Sequence, residues 1–237
     1  TFLAPVRWDK NAWPVVNGDG TLQIDMECPT LPQVEMPEEP EKDEFDKDRL
    51  ERYWSYLCNP HTENYSLAER KGHVRLKAST VSMDELGSPT FIGRRQTEIK
   101  FQATAAVDIS RLENGVTTGL TAYAARQNHY DVRVTCENGK NYVEANLRVG
   151  QVGHVGKRLP LKGRKVYLRI EGDRDFYHLS FSEDNRHFEH LFQMDYRYLS
   201  TETIGGFTGV HLGLFIQSDR PSDAYADFDW FEYKTFN

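Results

Sequence analysis

Two segments near the end of the chain limit its fold more than any other feature of the sequence. The first runs from Gly205 to Gln217 and reads GGFTGVHLGLFIQ, and the second runs from Ala226 to Tyr233 and reads ADFDWFEY. Glycines permit a sharp bend, and alternating small and large apolar residues are typical of strands that bury one face. The combination predicts the last corner of a β-sandwich.

Strand patterns with turns between them recur from Phe45 onward, and residues 196–203 are the one place where a helical turn is expected. The alternation of apolar and polar residues is clearest in the strand that ends near Cys136. Cys136 falls at one of the apolar positions, which predicts a buried thiol. One face of that strand carries Tyr130, Val132, Val134 and Cys136, whereas the other carries His129, Asp131, Arg133 and Thr135. Roughly a dozen short strands with turns every ~8–12 residues predict an all-β sandwich or barrel.

Composition excludes some classes of partner. The chain has 237 residues and a formal net charge of -7, which argues against a nucleic acid or an acidic membrane as its partner. No run of about 18 apolar residues predicts a membrane span. The 3 cysteines do not have the spacing of metal ligands. Whether Cys28 and Cys58 form a disulfide is left undecided, and the cysteines do not identify the cellular compartment.

The sequence changes character near residue 42. Residues 1–28 contain Trp8, Trp13 and a turn signal at residues 17–20, which predicts a hairpin with apolar contacts. Residues 29–42 combine prolines with acidic residues and are predicted to form an extended linker, because proline disfavours both helix and central strand. Residues 43–237 then carry the β-sandwich pattern. The first of these three segments is interpreted as the end of a preceding domain.

Six segments of the chain follow one another in an order that carries a family likeness. They read DEFDKDRLERYWSYLCNP, YSLAERKGHVRLKA, FIGRRQTEIKFQATAAVDI, GLTAYAARQNHYDV, LSTETIGGFTGVHLGLFIQ and ADFDWFEY. From about Asp43 to Tyr233 the chain resembles the C-terminal module of glycoside hydrolase family 43 β-xylosidases. The resemblance implies a concanavalin-A-like jelly-roll β-sandwich. A subset of these modules is classed as carbohydrate-binding module family 91, which implies binding to xylan.

The opening segment TFLAPVRWDKNAWPVV resembles the last strands of the five-bladed β-propeller that holds the catalytic carboxylates of that family. The earlier blades are not in the sequence, so the resemblance implies that this chain is not an enzyme on its own. It further implies an upstream family 43 catalytic domain as a partner. The parent is expected to be a β-xylosidase or an α-L-arabinofuranosidase, and the choice between xylose and arabinose stays open.

Two polar clusters, one at residues 94–96 and one at residues 127–130, are candidates for sugar binding or for a domain interface, together with Tyr123. They are Arg94, Arg95, Gln96, Tyr123, Gln127, His129 and Tyr130. Guanidinium and amide groups match sugar hydroxyls, and aromatic rings stack on the apolar face of a pyranose. On a concave sheet these residues would line a sugar groove or face the propeller. The alternative is that Arg94 and Arg95 satisfy strand-edge carbonyls or pair with acids.

Phe207 is the strongest single candidate for an interface or sugar-binding residue, because a glycine-rich bend can direct its side chain outward. In the family that the chain resembles, the matching aromatic reaches across the domain interface toward the mouth of the active site. The resemblance therefore implies that Phe207 is an interface residue that helps to exclude water from the parent's pocket. The alternative is an ordinary core phenylalanine.

Related jelly rolls often hold a structural calcium ion where the first and last strands meet. The resemblance makes Glu44 and Asp229 the candidate ligands, since calcium binds six to eight oxygens that include carboxylates. The alternative is that both are solvated acids that flank a strand. Asp227 and Asp229 share one strand face, but a structural role is favoured over catalysis for that pair.

Three classes of function compete at this point. The first is an accessory module that binds xylan or xylo-oligosaccharides. The second is a structural module that packs on the propeller and completes its active-site mouth without sugar affinity of its own. The third, an independent enzyme, is the weakest. A binding module should expose a strip of aromatic side chains, whereas a structural module should expose an apolar patch that includes Phe207, Trp8 and Trp13.

Overall fold

The structure, a computed structural model, describes residues 4–18, 20–25, 32, 34–35 and 37–236. These residues form two compact units, which divide the chain into Thr1–Glu39 and Pro40–Asn237. Cys28 lies outside the described residues, as do several positions of the predicted linker at residues 29–42. The disulfide between Cys28 and Cys58 and the boundaries at residues 28 and 42 therefore stay predictions.

The first unit contains a short antiparallel hairpin of strands β1 (Val6–Trp8) and β2 (Pro14–Val16). Its turn is organised by Asp9, whose Oδ1 accepts hydrogen bonds from the backbone N–H groups of Asn11 (2.7 Å) and Trp13 (3.0 Å). Aspartate favours such turns because its short side chain can bond to the backbone two residues further along.

The second unit consists almost entirely of strands. They are β3 (Lys42–Asp43), β4 (Trp54–Ser55), β5 (Tyr65–Ser66), β6 (Val74–Lys77), β7 (Thr90–Arg95), β8 (Phe101–Asp108), β9 (Val116–Ala125), β10 (Asn128–Glu137), β11 (Lys140–Val149), β12 (Val152–Pro160), β13 (Lys165–Gly172), β14 (Phe176–Ser182), β15 (Glu189–Asp195), β16 (His211–Ser218) and β17 (Tyr225–Thr235). Helical structure in the described residues is limited to α1 (Thr201–Ile204) and to 3₁₀ turns at Thr62–Asn64 and Tyr196–Leu199. The helical turn predicted within residues 196–203 is thus present.

The strands form two antiparallel sheets. The seven-stranded sheet has the order β12-β11-β10-β9-β16-β7-β4, and the eight-stranded sheet has the order β15-β14-β13-β8-β17-β6-β5, with β3 paired to β17. The segment from Thr90 to Ile109, predicted as one bent strand or two strands, divides into β7 in one sheet and β8 in the other. The predicted all-β sandwich is confirmed.

The main core lies between the inner faces of the two sheets. Period-2 alternation places Leu120 and Val132 of the seven-stranded sheet in the same cluster as Val107 and Leu168 of the eight-stranded sheet. Cys136 is buried, as its place in the alternation predicts. The face of the seven-stranded sheet that turns away from this core is called the outer face below.

The β10–β11 hairpin shows how local sequence sets the register. Asn138 and Gly139 both have positive φ values, 52° and 71°, as a tight two-residue turn requires. The turn pairs Glu137 with Lys140, and the two strands stay in register as far as Asn128 and Val149. This register brings the polar residues of both strands to one face.

Candidate functional site

Strand alternation divides the predicted sugar-binding residues between two faces. Arg94 is buried on the core side, where its guanidinium lies over the rings of Tyr53 (4.6 Å) and Tyr233 (5.1 Å). Its Nη1 donates a hydrogen bond to the backbone oxygen of Pro40 at 2.7 Å. Arg95, the next residue, points to the outer face and is exposed. Arg94 therefore packs on aromatic rings and bonds to a backbone carbonyl. The sequence had left open that Arg94 and Arg95 satisfy strand-edge carbonyls or pair with acids.

Tyr130 is also removed from any sugar-binding surface. It is fully buried, its hydroxyl donates to the backbone oxygen of Asp195 (2.9 Å), and its ring packs edge-on against Tyr177. Gln96 is half-buried just beyond β7, where its Oε1 accepts a hydrogen bond from the hydroxyl of Tyr177 (2.7 Å). Gln127 is exposed in the turn before β10.

The remaining candidates share one row on the outer face. The register pairs Arg95 with His211, His211 with Tyr123, Tyr123 with His129, and His129 with Arg148. Directly paired residues lie on the same face of a sheet, so the row crosses β7, β16, β9, β10 and β11. The Tyr123 and His129 rings stack with centroids 5.8 Å apart. Arg95 and His129 thus share a face of the sheet, with β16 and β9 between their strands, whereas the other members of the two clusters lie elsewhere.

A second, smaller hydrophobic cluster closes the middle of the outer face. Met83, Phe91 and Phe215 are buried there, and Leu57 and Tyr123 pack against them. Two glycines make room for the Phe91 ring. A Cβ added to Gly213 would come within 2.1 Å of the ring, and one added to Gly93 within 2.6 Å. The loop that carries Met83 therefore covers part of the surface on which a sugar groove was predicted.

His129 is buried beneath this loop among charged groups. Its Nδ1 lies 2.9 Å and 3.1 Å from the two carboxylate oxygens of Asp131, and its Nε2 lies 3.3 Å from Oδ1 of Asp84. Arg148 lies 3.3 Å from the same Asp84 oxygen, and Asn146 donates to Asp131 at 2.7 Å. Burial opposes a positive charge on the imidazole, but the two carboxylates outweigh it and raise the pKa of His129 to about 9.

This buried cluster pins the covering loop to the sheet. Asp84 belongs to the loop, and its ion contacts with His129 and Arg148 join it to β10 and β11. The hydrogen bond from His129 lowers the pKa of Asp84, so the carboxylate stays charged near neutral pH. Sequence reasoning missed Met83 and Asp84, because neither lies in a recognisable motif and both act through contacts far away in the chain.

Phe207 is almost fully exposed, with 93% of its surface accessible. It lies between Gly206 and Gly209, whose φ values of 89° and 71° belong to the left-handed region, as does the 66° of Gly205. The guanidinium of Arg95 packs beneath the loop, 3.0 Å from the position of a Cβ on Gly209. The alternative of a core phenylalanine does not hold for this residue.

The candidate calcium ligands have cations as their partners. Glu44 accepts a hydrogen bond from Nζ of Lys42 at 2.5 Å, and Asp229 is bonded to Lys165, with His73 at 3.8 Å. In the described part of the chain no three His, Cys, Asp or Glu side chains are grouped as a metal would require. Calcium binds six to eight oxygens, whereas each of these two carboxylates is engaged by a basic side chain, so their present contacts do not favour a calcium ion. Calcium stays a prediction, and an unchanged melting temperature between calcium chloride and a chelator would count against it.

Comparison with known proteins assigns the chain to a family. Residues 42–234 match the family described as "Beta xylosidase C-terminal Concanavalin A-like domain". The chain belongs to this family. The resemblance drawn from its motifs is confirmed, and so is the concanavalin-A-like fold.

Relatives cover almost the whole chain. It is 36% identical over 239 residues to the "Non-reducing end alpha-L-arabinofuranosidase BoGH43B" of Bacteroides ovatus, an alignment that covers 99% of this chain and 44% of that protein. It is 30% identical over 244 residues to a "Xylan 1,3-beta-xylosidase" of a Vibrio species, which covers 98% and 44%. The solved xylan beta-1,4-xylosidase of Bacillus halodurans superposes with a TM-score of 0.89 at 25% identity, covering 98% and 46%.

The chain spans less than half the length of each of these relatives. What the relatives' names describe therefore belongs to proteins that contain more than this module. Among the described residues, no helix is long and apolar enough to cross a membrane.

Proposed function

We propose that the chain is the accessory module of a family 43 glycosidase and that it binds xylan or xylo-oligosaccharides. The upstream partner in this proposal is a catalytic domain that supplies the reacting carboxylates and acts on xylose or arabinose units. Support comes from family membership and from relatives that are named as xylosidases and an arabinofuranosidase.

The observation that carries sugar binding is the exposed ring of Phe207, in a loop whose Gly209 packs against the guanidinium of Arg95. An aromatic ring open to solvent offers an apolar face to a sugar ring, and a guanidinium in the same region can donate hydrogen bonds to hydroxyl groups. Tyr123 lies two strands from Arg95 in the same outer row and is half-buried, with burial raising its pKa to about 12. Its hydroxyl therefore stays protonated near neutral pH.

Calorimetric titration of the 237-residue chain with xylohexaose tests the proposal. We expect a measurable heat at millimolar sugar, and a lower affinity for Phe207→Ala by about fivefold to a hundredfold, the range for a key aromatic contact. Val152→Ala is the control, because Val152 is 69% exposed in β12, at the edge of the sheet opposite β7 and β4. The absence of heat and of any fluorescence change at millimolar sugar would contradict binding.

The second candidate function is docking onto the catalytic domain, and a specific surface favours it. A cavity of about 280 Å³ next to the Phe207 loop is lined in part by Gly209, Ile99 and Tyr196. The last two side chains are 63% and 43% exposed. Phe236, whose backbone N–H donates to the carbonyl of Lys100 next to Ile99, is 51% exposed. Such a cluster of exposed apolar side chains is typical of a protein interface.

A kinetic measurement on the full-length gene product tests docking. In this proposal Phe207 completes the active-site mouth and helps to exclude water from it. Phe207→Ala should then lower turnover or specificity on a small aryl xyloside or arabinoside while the module stays folded. Unchanged kinetics would remove that role, and a gene product without an upstream propeller would contradict the whole proposal.

A further inference from the structure

A cavity of about 850 Å³ lies in the sandwich unit at the edge of the eight-stranded sheet. It opens between residues 46–50, the start of β5 and the turn before β6. Its volume falls in the range of sites that bind small molecules. None of the residues predicted from the sequence as candidate ligands lines it.

The floor of this cavity is apolar and one wall is aromatic. Leu50, Leu67 and Val74 line it together with two tyrosines, Tyr56 and Tyr65. The two rings meet edge to face, with centroids 5.1 Å apart and an interplanar angle of 81°. Such a pairing fixes the orientation of both rings.

Tyr65 is held in place and Tyr56 is open. The hydroxyl of Tyr65 accepts a hydrogen bond from the backbone N–H of Phe91 at 3.0 Å, so this ring is anchored to β7. Tyr56 is 41% exposed at the wall, and burial of the rest of the side chain raises its pKa. A neutral ring on a fixed support is what stacking on the C–H face of a sugar requires.

The rim of the cavity is polar and nearly balanced in charge. Asp46 and Asp48 stand there beside basic side chains, among them Arg49 and Lys71, which make no ion pair within the described residues. Ser66 accepts hydrogen bonds from the backbone N–H groups of residues 68 and 69, which leaves its own hydroxyl hydrogen available to a ligand. The rim thus offers both donors and acceptors without a strong field of either sign.

We propose that this cavity binds a neutral oligosaccharide of pentose rings, with Tyr56 as the stacking platform. A sugar presents apolar C–H faces and a belt of hydroxyls, and the cavity presents an apolar floor inside a belt of donors and acceptors. A purely apolar ligand would leave the rim unpaired, and a rim on which acidic and basic side chains alternate does not favour a charged ligand over a neutral one. The choice of pentose rests on the proposed function.

Titration of the 237-residue chain with xylohexaose tests the inference through four variants. Tyr56→Ala removes the platform and should weaken binding at least fivefold. Ala68→Trp places a large ring at the exposed rim of the cavity and should weaken binding as strongly without removing any core contact. Tyr167→Ala is the matched control, because Tyr167 is a half-buried tyrosine on β13, four strands away from β5 in the same sheet and outside the cavity. Phe207→Ala measures what the surface at the Phe207 loop contributes to binding.

The outcomes separate the cavity from the general proposal. Weaker binding in both Tyr56→Ala and Ala68→Trp, with Tyr167→Ala unchanged, would support the cavity. Should the unmodified chain bind while neither variant changes its affinity, the cavity would be excluded and sugar binding would survive. Tighter binding of an acidic oligogalacturonide than of xylohexaose would overturn the neutral ligand. No binding by the unmodified chain would overturn sugar binding itself, whatever the variants do.

Discussion

The glycine loop around Phe207 and the row through His129 lie at opposite extremes of solvent exposure. Phe207 is an apolar ring that is 93% exposed, whereas His129 and Asp131 are ionisable groups that are 1% and 0% exposed. Each is the reverse of what its side-chain chemistry favours in a folded domain. An exposed aromatic ring indicates a surface that serves a contact, and a buried ion pair indicates a structural joint.

This contrast shows how a polar residue in a strand should be interpreted. A polar residue in a strand points either to the core side or to the outer side, and even the outer side can be covered by a loop. His129 faces outward from the sheet and is nevertheless buried, because the loop with Met83 and Asp84 lies over it. Consecutive glycines with positive φ, in contrast, hold Phe207 out in solvent by their backbone geometry.

The largest effect is expected from breaking the buried ion pair. Asp131→Ala should lower the free energy of unfolding by about 3–5 kcal/mol, because it leaves the buried His129 without its main counter-charge. Urea unfolding followed by fluorescence measures this loss. Asp131→Asn keeps the shape and should lose less. Glu63→Ala, which breaks the exposed pair with His61, should change stability by less than about 0.5 kcal/mol. A loss below about 1 kcal/mol in Asp131→Ala would remove the structural role.

Alkaline pH should weaken the same joint. The pKa of His129 is raised to about 9 in the folded chain, from an unfolded value near 6.5. Its contribution is therefore fully present below about pH 6.5 and is lost as the pH rises through about 9. The free energy of unfolding should fall by up to about 3 kcal/mol across that window.

Three charged groups, Asp131, Asp84 and Arg148, surround His129, so a pH profile of the unmodified chain alone would not report on the imidazole. The variant His129→Gln isolates the contribution of the imidazole. The difference in unfolding free energy between the unmodified chain and His129→Gln should shrink as the pH rises from 6 to 9.5. A constant difference over that range would show that the imidazole is not charged in the folded chain.

A third change tests how closely the outer cluster is packed. Gly213→Ala should cost about 1–3 kcal/mol, because the new methyl group would overlap the Phe91 ring between two buried layers. Gly153→Ala is the matched control in a strand of the same sheet. Its nearest contact would be Arg148 at 3.6 Å, an ordinary van der Waals distance, so its stability should change by less than about 0.5 kcal/mol. Equal changes in melting temperature for Gly213→Ala and Gly153→Ala would mean that the outer face around Phe91 is open rather than closely packed.

The sequence predicted the fold well because its signals are local. Alternation in β10, the turn at Asn138 and Gly139, and the glycines before Phe207 each act within a few residues. The site was predicted only in part. Arg94 and Arg95 are neighbours in sequence but lie on opposite faces, and the partners of His129 include Asp84, which is 45 residues away. No sequence motif signalled the cavity at Tyr56, because the cavity is formed by the packing of segments that are separate in the sequence.

The smallest effect on stability is expected at the exposed residue Phe207. Phe207→Ala should change the free energy of unfolding by less than about 0.5 kcal/mol, because the ring buries almost no area in the chain. Phe215→Ala, in the same segment but 1% exposed, should cost about 3–5 kcal/mol. Together the two phenylalanines separate a contact residue from a packing residue by one denaturation experiment. If Phe207→Ala lost more than about 1 kcal/mol, its ring would be packed against the chain, and neither sugar binding nor docking could then be assigned to it.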